Sequence, residues 1–234
     1  MLLALETSTK TCSVALADDA GRILSERRER SEQYIHSEKL HLFMQAVLRE
    51  AGVKPKQLSA VAVGRGPGSY TGLRIGVAAA KGLCWPLGLP LYSATSLFLL
   101  AQAGREESSL KVNAEDRLLP MLDARRQEVY LAGYDGQGRE IAPVQARIME
   151  PHSLQEWRQP TGRLILLGDG VAKFRQWYQQ DKVLLKPHFD PQAATLASYI
   201  SRNRSLLQAE DLAYFEPFYL KDFMAGKPRD LLRR

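Results

Sequence analysis

The sequence predicts an α/β fold made twice on one plan: two lobes, each with a mixed sheet flanked by helices. Three observations carry this. Residues repeat at an offset of 117: Leu5 matches Leu122, Glu6 matches Asp123, Ala15 matches Ala132, Asp18 matches Asp135, and Gly21-Arg22 matches Gly138-Arg139, without a gap. Strand-like apolar runs alternate with segments of helical periodicity. The 234 residues, 45% hydrophobic and 25% charged, suffice for one large domain or two small ones with ordinary cores.

Residues 2–6 (LLALE) and 12–17 (CSVALA) read as strands joined by the loop Thr7–Thr11, and 22–29 as a third strand after the turn Asp18-Asp19-Ala20-Gly21. A helix follows at about 37–51, where Leu40, Phe43, Met44, Val47, Leu48 and Ala51 share one face and Gly52 stops it. The all-apolar 60–63 (AVAV) suits a buried parallel strand. The loop 64–71 leads into a helix of small residues at about 72–84, ended by Pro86 and Gly88; strand 89–93 and helix 95–103 come next. Polar, aperiodic 104–117 marks a boundary. The division expected is a first lobe over 1–104, to which about 206–224 returns, a second over 105–205, and a basic tail at 225–234. The second lobe begins with strands 118–122 and 128–134. A less regular stretch with Pro143, Pro151 and Pro160 precedes strand 163–167, a helix at about 171–180 and another at about 192–203.

The net charge is +6, of which the last 14 residues contribute half: Lys221, Lys227, Arg229, Arg233 and Arg234 against Asp222 and Asp230. Such a tail can meet phosphates or simply be solvated. No run reaches the roughly 18 apolar residues of a bilayer span, and no basic region precedes the apolar N-terminal run, so no membrane and a cytoplasmic location are expected. Cys12 and Cys84 are too few for a disulfide framework or a four-ligand zinc site and read as packing residues.

Several motifs could carry chemistry. Glu6-Thr7-Ser8 and Asp123 end equivalent strands, and two such hairpins facing one cleft could hold a phosphate and a hydrated metal, as in phosphoryl-transfer enzymes. The loop 7–11 lacks glycine, however, so backbone N–H groups approach an anion poorly. Gly168-Asp169-Gly170 lies between a strand and a helix, but Asp169 repels an anion there, and an N-cap role for Asp169 or Gly170 is favoured. His36 and His41 are five apart, so they diverge by about 140° on a helix and make a poor metal pair. Gly72, Gly76 and Ala80 recur every fourth residue, a stripe that admits close approach either of the protein's own sheet or of another helix. Leu42 and Ala46 give helix 37–51 a second, weakly apolar side.

Taken together, ALETST, CSVAL, HSEKL, GPGSYTGLRIG, LDARRQEVY and LLGDG resemble the TsaB (YeaZ) family, from residue 1 to about 220. The resemblance implies the duplicated actin-like fold of acetate and sugar kinases. It also implies a non-catalytic subunit that supports a TsaD-like catalytic partner and works with a TsaE-like ATPase in threonylcarbamoylation of tRNA adenosine 37, with tRNA met indirectly. The family's dimer contact uses the two helices of the first lobe. It maps here to His36, Lys39, Leu42, Ala46, Gly72, Arg74, Ile75, Gly76, Ala79 and Ala80, which serve the partner or a homodimer of the lone protein. Glu6, Thr7, Ser8, Asp123, Gly168 and Gly170 are then vestigial phosphate-loop positions, with no cofactor or metal expected. The competing readings are an ATP-dependent kinase-like enzyme and a metalloprotease.

Overall fold

A computed structural model describes residues 1–33, 35–178 and 181–221. The expected tail at 225–234 therefore lies outside the described residues.

The first sheet contains β1 (Leu2–Glu6), β2 (Thr11–Ala17), β3 (Ile23–Arg30), β4 (Ala60–Gly64) and β5 (Leu91–Ala94), in the order β3-β2-β1-β4-β5. The second contains β6 (Arg117–Asp123), β7 (Glu128–Asp135), β8 (Glu140–Ile148), β9 (Leu164–Leu167) and β10 (Val183–Lys186), in the order β10-β9-β6-β7-β8. In each sheet three antiparallel strands are followed by two parallel ones. The repeat is thus a repeat of topology. The turns reproduce it atom for atom. Asp18 Oδ1 accepts from Ala20 N–H (3.1 Å) and Arg22 N–H (2.9 Å), and Asp135 Oδ1 accepts from Gln137 N–H (3.0 Å) and Arg139 N–H (2.9 Å). Gly21 and Gly138 both hold positive φ, at 80° and 85°.

Among the described residues three α-helices connect strands, α1 (His36–Glu50), α2 (Tyr70–Leu87) and α3 (Ser96–Glu106), and a fourth, α4 (Ala193–Asn203), follows the last strand. The apolar face of α1 (Leu40, Met44, Val47 and Leu48) and the buried residues of α2 pack on one face of the first sheet. Helix α2 is longer than its pattern predicts. Ser69 Oγ caps it by accepting from Gly72 N–H (3.2 Å), it passes through Pro86, and it stops at Gly88, whose φ of 62° is left-handed.

Helices α3 and α4 are exchanged between the halves. The side of α3 bearing Leu97, Leu100 and Ala101 packs on the second sheet, against Leu118, Leu122, Ala132 and Ile165. Helix α4 packs its Ala193, Leu196, Ala197 and Ile200 on the first sheet, against Leu2, Ala4, Ala15 and Ala62. Ser13 of β2 accepts from Ala193 N–H (2.9 Å) and so fixes the start of α4.

Two expectations change here. The helix at 171–180 is a 3₁₀ helix, Asp169–Trp177, because Val171, Phe174 and Trp177 recur every third residue and a three-residue turn is what aligns them. The stretch around Pro143 holds β8. It is an edge strand, so the missing N–H of Pro143 breaks no interior ladder.

Candidate functional site

The C-terminal ends of β1 and β6 carry the two acids that the repeat aligns. Their surroundings differ. In the first lobe Glu6 is fully buried. Ser8 N–H donates to Oε1 (2.7 Å), Ser96 Oγ approaches Oε2 (3.4 Å), and the other side of the carboxyl lies on Gly64, where an added Cβ would stand 1.8 Å from Oε2. Burial pushes this carboxyl above its ordinary range, with the hydrogen bonds from Ser8, Thr7 and Ser96 opposing it.

The loop after Glu6 is pressed onto α2 by glycines. A Cβ at Gly68 would stand 2.3 Å from the Ser8 carbonyl oxygen, one at Gly72 would stand 2.2 Å from the Thr7 carbonyl oxygen, and one at Gly76 would stand 2.3 Å from Thr7 Oγ1. Ser69 N–H donates to the Ser8 carbonyl (2.6 Å). His36, at the start of α1, closes the other side against the backbone of Thr9 and Thr11; it is 1% exposed, and burial pushes its imidazole pKa down. The buried hydroxyl Thr7 Oγ1 thus faces α2, not solvent.

The second-lobe acid is open. Asp123 is 42% exposed and forms an ion pair with Lys173. Its carboxylate accepts from Arg125 N–H (2.6 Å), and its own N–H donates to Asp169 Oδ1 (2.9 Å). Arg125 and Arg126 occupy left-handed backbone, with φ of 70° and 50°. Gly168, with φ of 108°, is the N-cap position that sequence reasoning gave to Asp169 or Gly170; a Cβ there would stand 2.3 Å from the Met121 carbonyl oxygen. Asp169 instead ties this turn to β6. Burial pushes its carboxyl up, as do the charges of Asp123 and Asp190. Asp190, which sequence reasoning took only as a helix start, joins the lobes: Thr11 Oγ1 donates to it (2.6 Å) and Arg30 forms an ion pair with it (2.5 Å).

Among the described residues no hydrogen bond or ion pair links Glu6 to Asp123, and no group of three metal-ligating side chains occurs. The nucleotide that this fold implies therefore fits the first lobe poorly. The backbone of Thr7 and Ser8 is spent on α2, and the carboxyl that would face a metal is turned into the core. Cys12 and Cys84 are buried free thiols, pushed up to about 12 and about 11 by burial.

The positions assigned to a partner contact divide. His36, Gly72, Gly76, Ala79 and Ala80 are buried within this chain, so the small-residue stripe serves the protein's own loop and core. Lys39, Leu42, Ala46, Arg74 and Ile75 retain accessible surface. Of the ten positions only Ile75 and Ala79 line the groove of about 600 Å³ between α1 and α2, with Ser37, His41, Met44, Ala78 and Leu83 among others. Leu42 (57% exposed) and Trp85 (70% exposed) are apolar side chains in solvent elsewhere on the same two helices. Ala78 and Leu83 were missed by sequence reasoning, which followed the glycines; their signal was the i, i+3, i+4 relation to Ile75 and Ala79.

The chain matches the family model described as TsaD, tRNA N6-adenosine threonylcarbamoyltransferase, over residues 31–225. It is 28% identical to the tRNA threonylcarbamoyladenosine biosynthesis protein TsaB of Escherichia coli, covering 97% of this chain and 96% of that one. It is 31% identical to TsaB of Bacillus subtilis over 75% of this chain and 73% of that one. Among solved structures, YeaZ from Pseudomonas aeruginosa superposes with a TM-score of 0.76 at 29% identity, over 94% of this chain and 99% of that one. EutJ from Carboxydothermus hydrogenoformans, at TM-score 0.51 and 10% identity over 86% of this chain and 88% of that one, shares the fold alone. With its duplicated, actin-like sheets, the chain belongs to the TsaD family and, within it, to the TsaB (YeaZ) proteins.

Proposed function

We propose that this protein is a non-catalytic subunit of the machinery that makes threonylcarbamoyladenosine at position 37 of tRNA, and that it docks a TsaD-type catalytic partner through the α1–α2 face. The names of its relatives support the process. The observation that carries the subunit role is the sealed first-lobe hairpin: Glu6 and Thr7 fill the place where a phosphate loop would open. The docking face rests on the groove between α1 and α2, lined by Met44, Ile75, Ala78 and Leu83 among others. Apolar surface rimmed by polar residues is what a partner helix covers. Lone protein can use the same face to form a homodimer, and a TsaE-like ATPase would join the assembled pair.

The test is co-elution with the TsaD-type protein of its own genome. Ala78→Arg puts a cation in the groove without touching the core, and should abolish co-elution while thermal unfolding stays unchanged. Full co-elution by this variant would remove the docking face. Gly76→Arg is unsuitable, since it would displace Thr7 and test folding instead. Calorimetry with Mg-ATP on the lone chain should show no binding. Micromolar binding lost in Asp123→Ala would favour a kinase-like enzyme.

A further inference from the structure

The segment after α4 leaves the first lobe and reaches the second. Glu210 N–H donates to the Leu91 carbonyl (2.8 Å), Phe215 enters the first core, and Lys81 Nζ donates to the carbonyls of Ala213 and Phe215 (both 3.1 Å). Phe218 N–H donates to the Arg65 carbonyl (2.7 Å). Lys221 then forms an ion pair with Glu128 and lies 5.9 Å from the ring centre of Tyr130, both on β7.

This strap completes a row of rings and cations that runs from α2 to β7. Arg74 lies 5.5 Å from the ring centre of Tyr70, the Tyr70 and Tyr219 rings meet tilted by 34° with 4.9 Å between centres, and Lys221 continues the row to Tyr130. Arg125, close enough to Tyr130 to act on its phenol, stands at the hairpin tip beside Arg126. Three acids of this rim are engaged, Glu128 with Lys221, Asp123 with Lys173 and Glu210 with Arg65, while Glu216 is exposed and close enough to Tyr219 to push its phenol up. Arg74, Arg125 and Arg126 have no acidic partner among the described residues and are exposed. Beyond Lys221 the sequence adds Lys227, Arg229, Arg233 and Arg234.

We propose that this rim is a direct RNA contact: an unpaired base stacks on the exposed Tyr219 ring while flanking phosphates meet Arg74, Arg125 and Arg126. Rings interleaved with unpaired guanidinium groups are the combination that single-stranded nucleic acid uses, sequence-tolerant stacking plus phosphate charge. An acidic peptide would use the cations but leave the rings idle. The inference deepens the proposed role in tRNA modification and rests on it for the biological ligand.

The experiment measures fluorescence anisotropy of the full chain with a labelled oligoadenylate RNA across a salt series. A labelled polyglutamate peptide is the second probe. Tyr219→Ala should weaken RNA binding about tenfold and leave the peptide unaffected, whereas Tyr219→Phe should bind RNA as the unmodified chain does. Arg125→Asn with Arg126→Asn, a pair that tolerates the left-handed backbone, should flatten the slope of log K against log salt by about 1.4. Absence of RNA binding, equal losses for both probes, or loss only on deleting residues 222–234 would overturn the proposal. All rim variants should still co-elute with the TsaD-type partner. Lost RNA binding with retained co-elution touches the rim alone, and lost co-elution by Ala78→Arg with normal RNA binding touches the docking face alone.

Discussion

In the first lobe the segment after β1 is buried from Thr7 to Thr9; in the second lobe Asp123, Arg125 and Arg126 stand in solvent. The flanking strands and the Asp-centred turns are the same in both. What differs is the element behind the loop. The first lobe has an 18-residue helix with glycine at 72 and 76, onto which the loop can collapse; the second has a nine-residue 3₁₀ helix whose Lys173 reaches out to Asp123. Strands and turns are held by local hydrogen bonds and persist through duplication. The loops answer to whatever packs against them, and there the copies have separated.

The sharpest way to break this comparison is to add one methyl group to each lobe. Gly72→Ala drives a Cβ into the Thr7 carbonyl at 2.2 Å, and should cost about 3 kcal/mol even after the gain in helix propensity. For a chain of this size that is a fall in Tm of roughly 6–12 °C. Gly170→Ala meets its nearest neighbours at 3.0 Å and should cost about 1 kcal/mol. Equal losses in calorimetry would mean that the first loop is no tighter than the second.

A smaller effect, of distinctive sign, is expected at Glu6. Its folded pKa is raised, so the native state holds that proton more tightly than the unfolded chain does. The unmodified protein therefore loses stability from this group as pH rises above the ordinary carboxyl range. Glu6→Gln removes that loss. The variant's advantage in denaturant melts should be absent below the ordinary carboxyl range and grow as pH rises above it. A difference that stays constant as pH rises would show that Glu6 is not desolvated.

The smallest effect sharpens the likeness. Asp18→Asn and Asp135→Asn weaken matching exposed turns and should lower Tm slightly and equally. Unequal shifts would show that the turns differ in more than position.

Much of the plan was legible in the sequence. All strands but β8 and β10 were legible in short-range pattern, their duplication in the 117-residue offset, and α1 in its apolar spacing. What escaped depended on partners distant in the chain. The glycine stripe reads equally as a subunit contact or an internal one, and only the position of Thr7 decides it. Likewise Asp190 reads as a helix start until Thr11 and Arg30 are brought to it. Strand β8 was hidden by Pro143, because nothing local reveals that a strand lies at an edge.

The exchange of α3 and α4 has a consequence for how this molecule can be taken apart. Cut between residues 104 and 117, either fragment would carry a helix made for the other's sheet and leave its own sheet bare on one side. Neither piece should be soluble alone, and the two mixed together should reconstitute each other. The two halves are therefore mutually obligatory in packing, while the loops at their tips, which the exchanged helices do not cover, are free to differ.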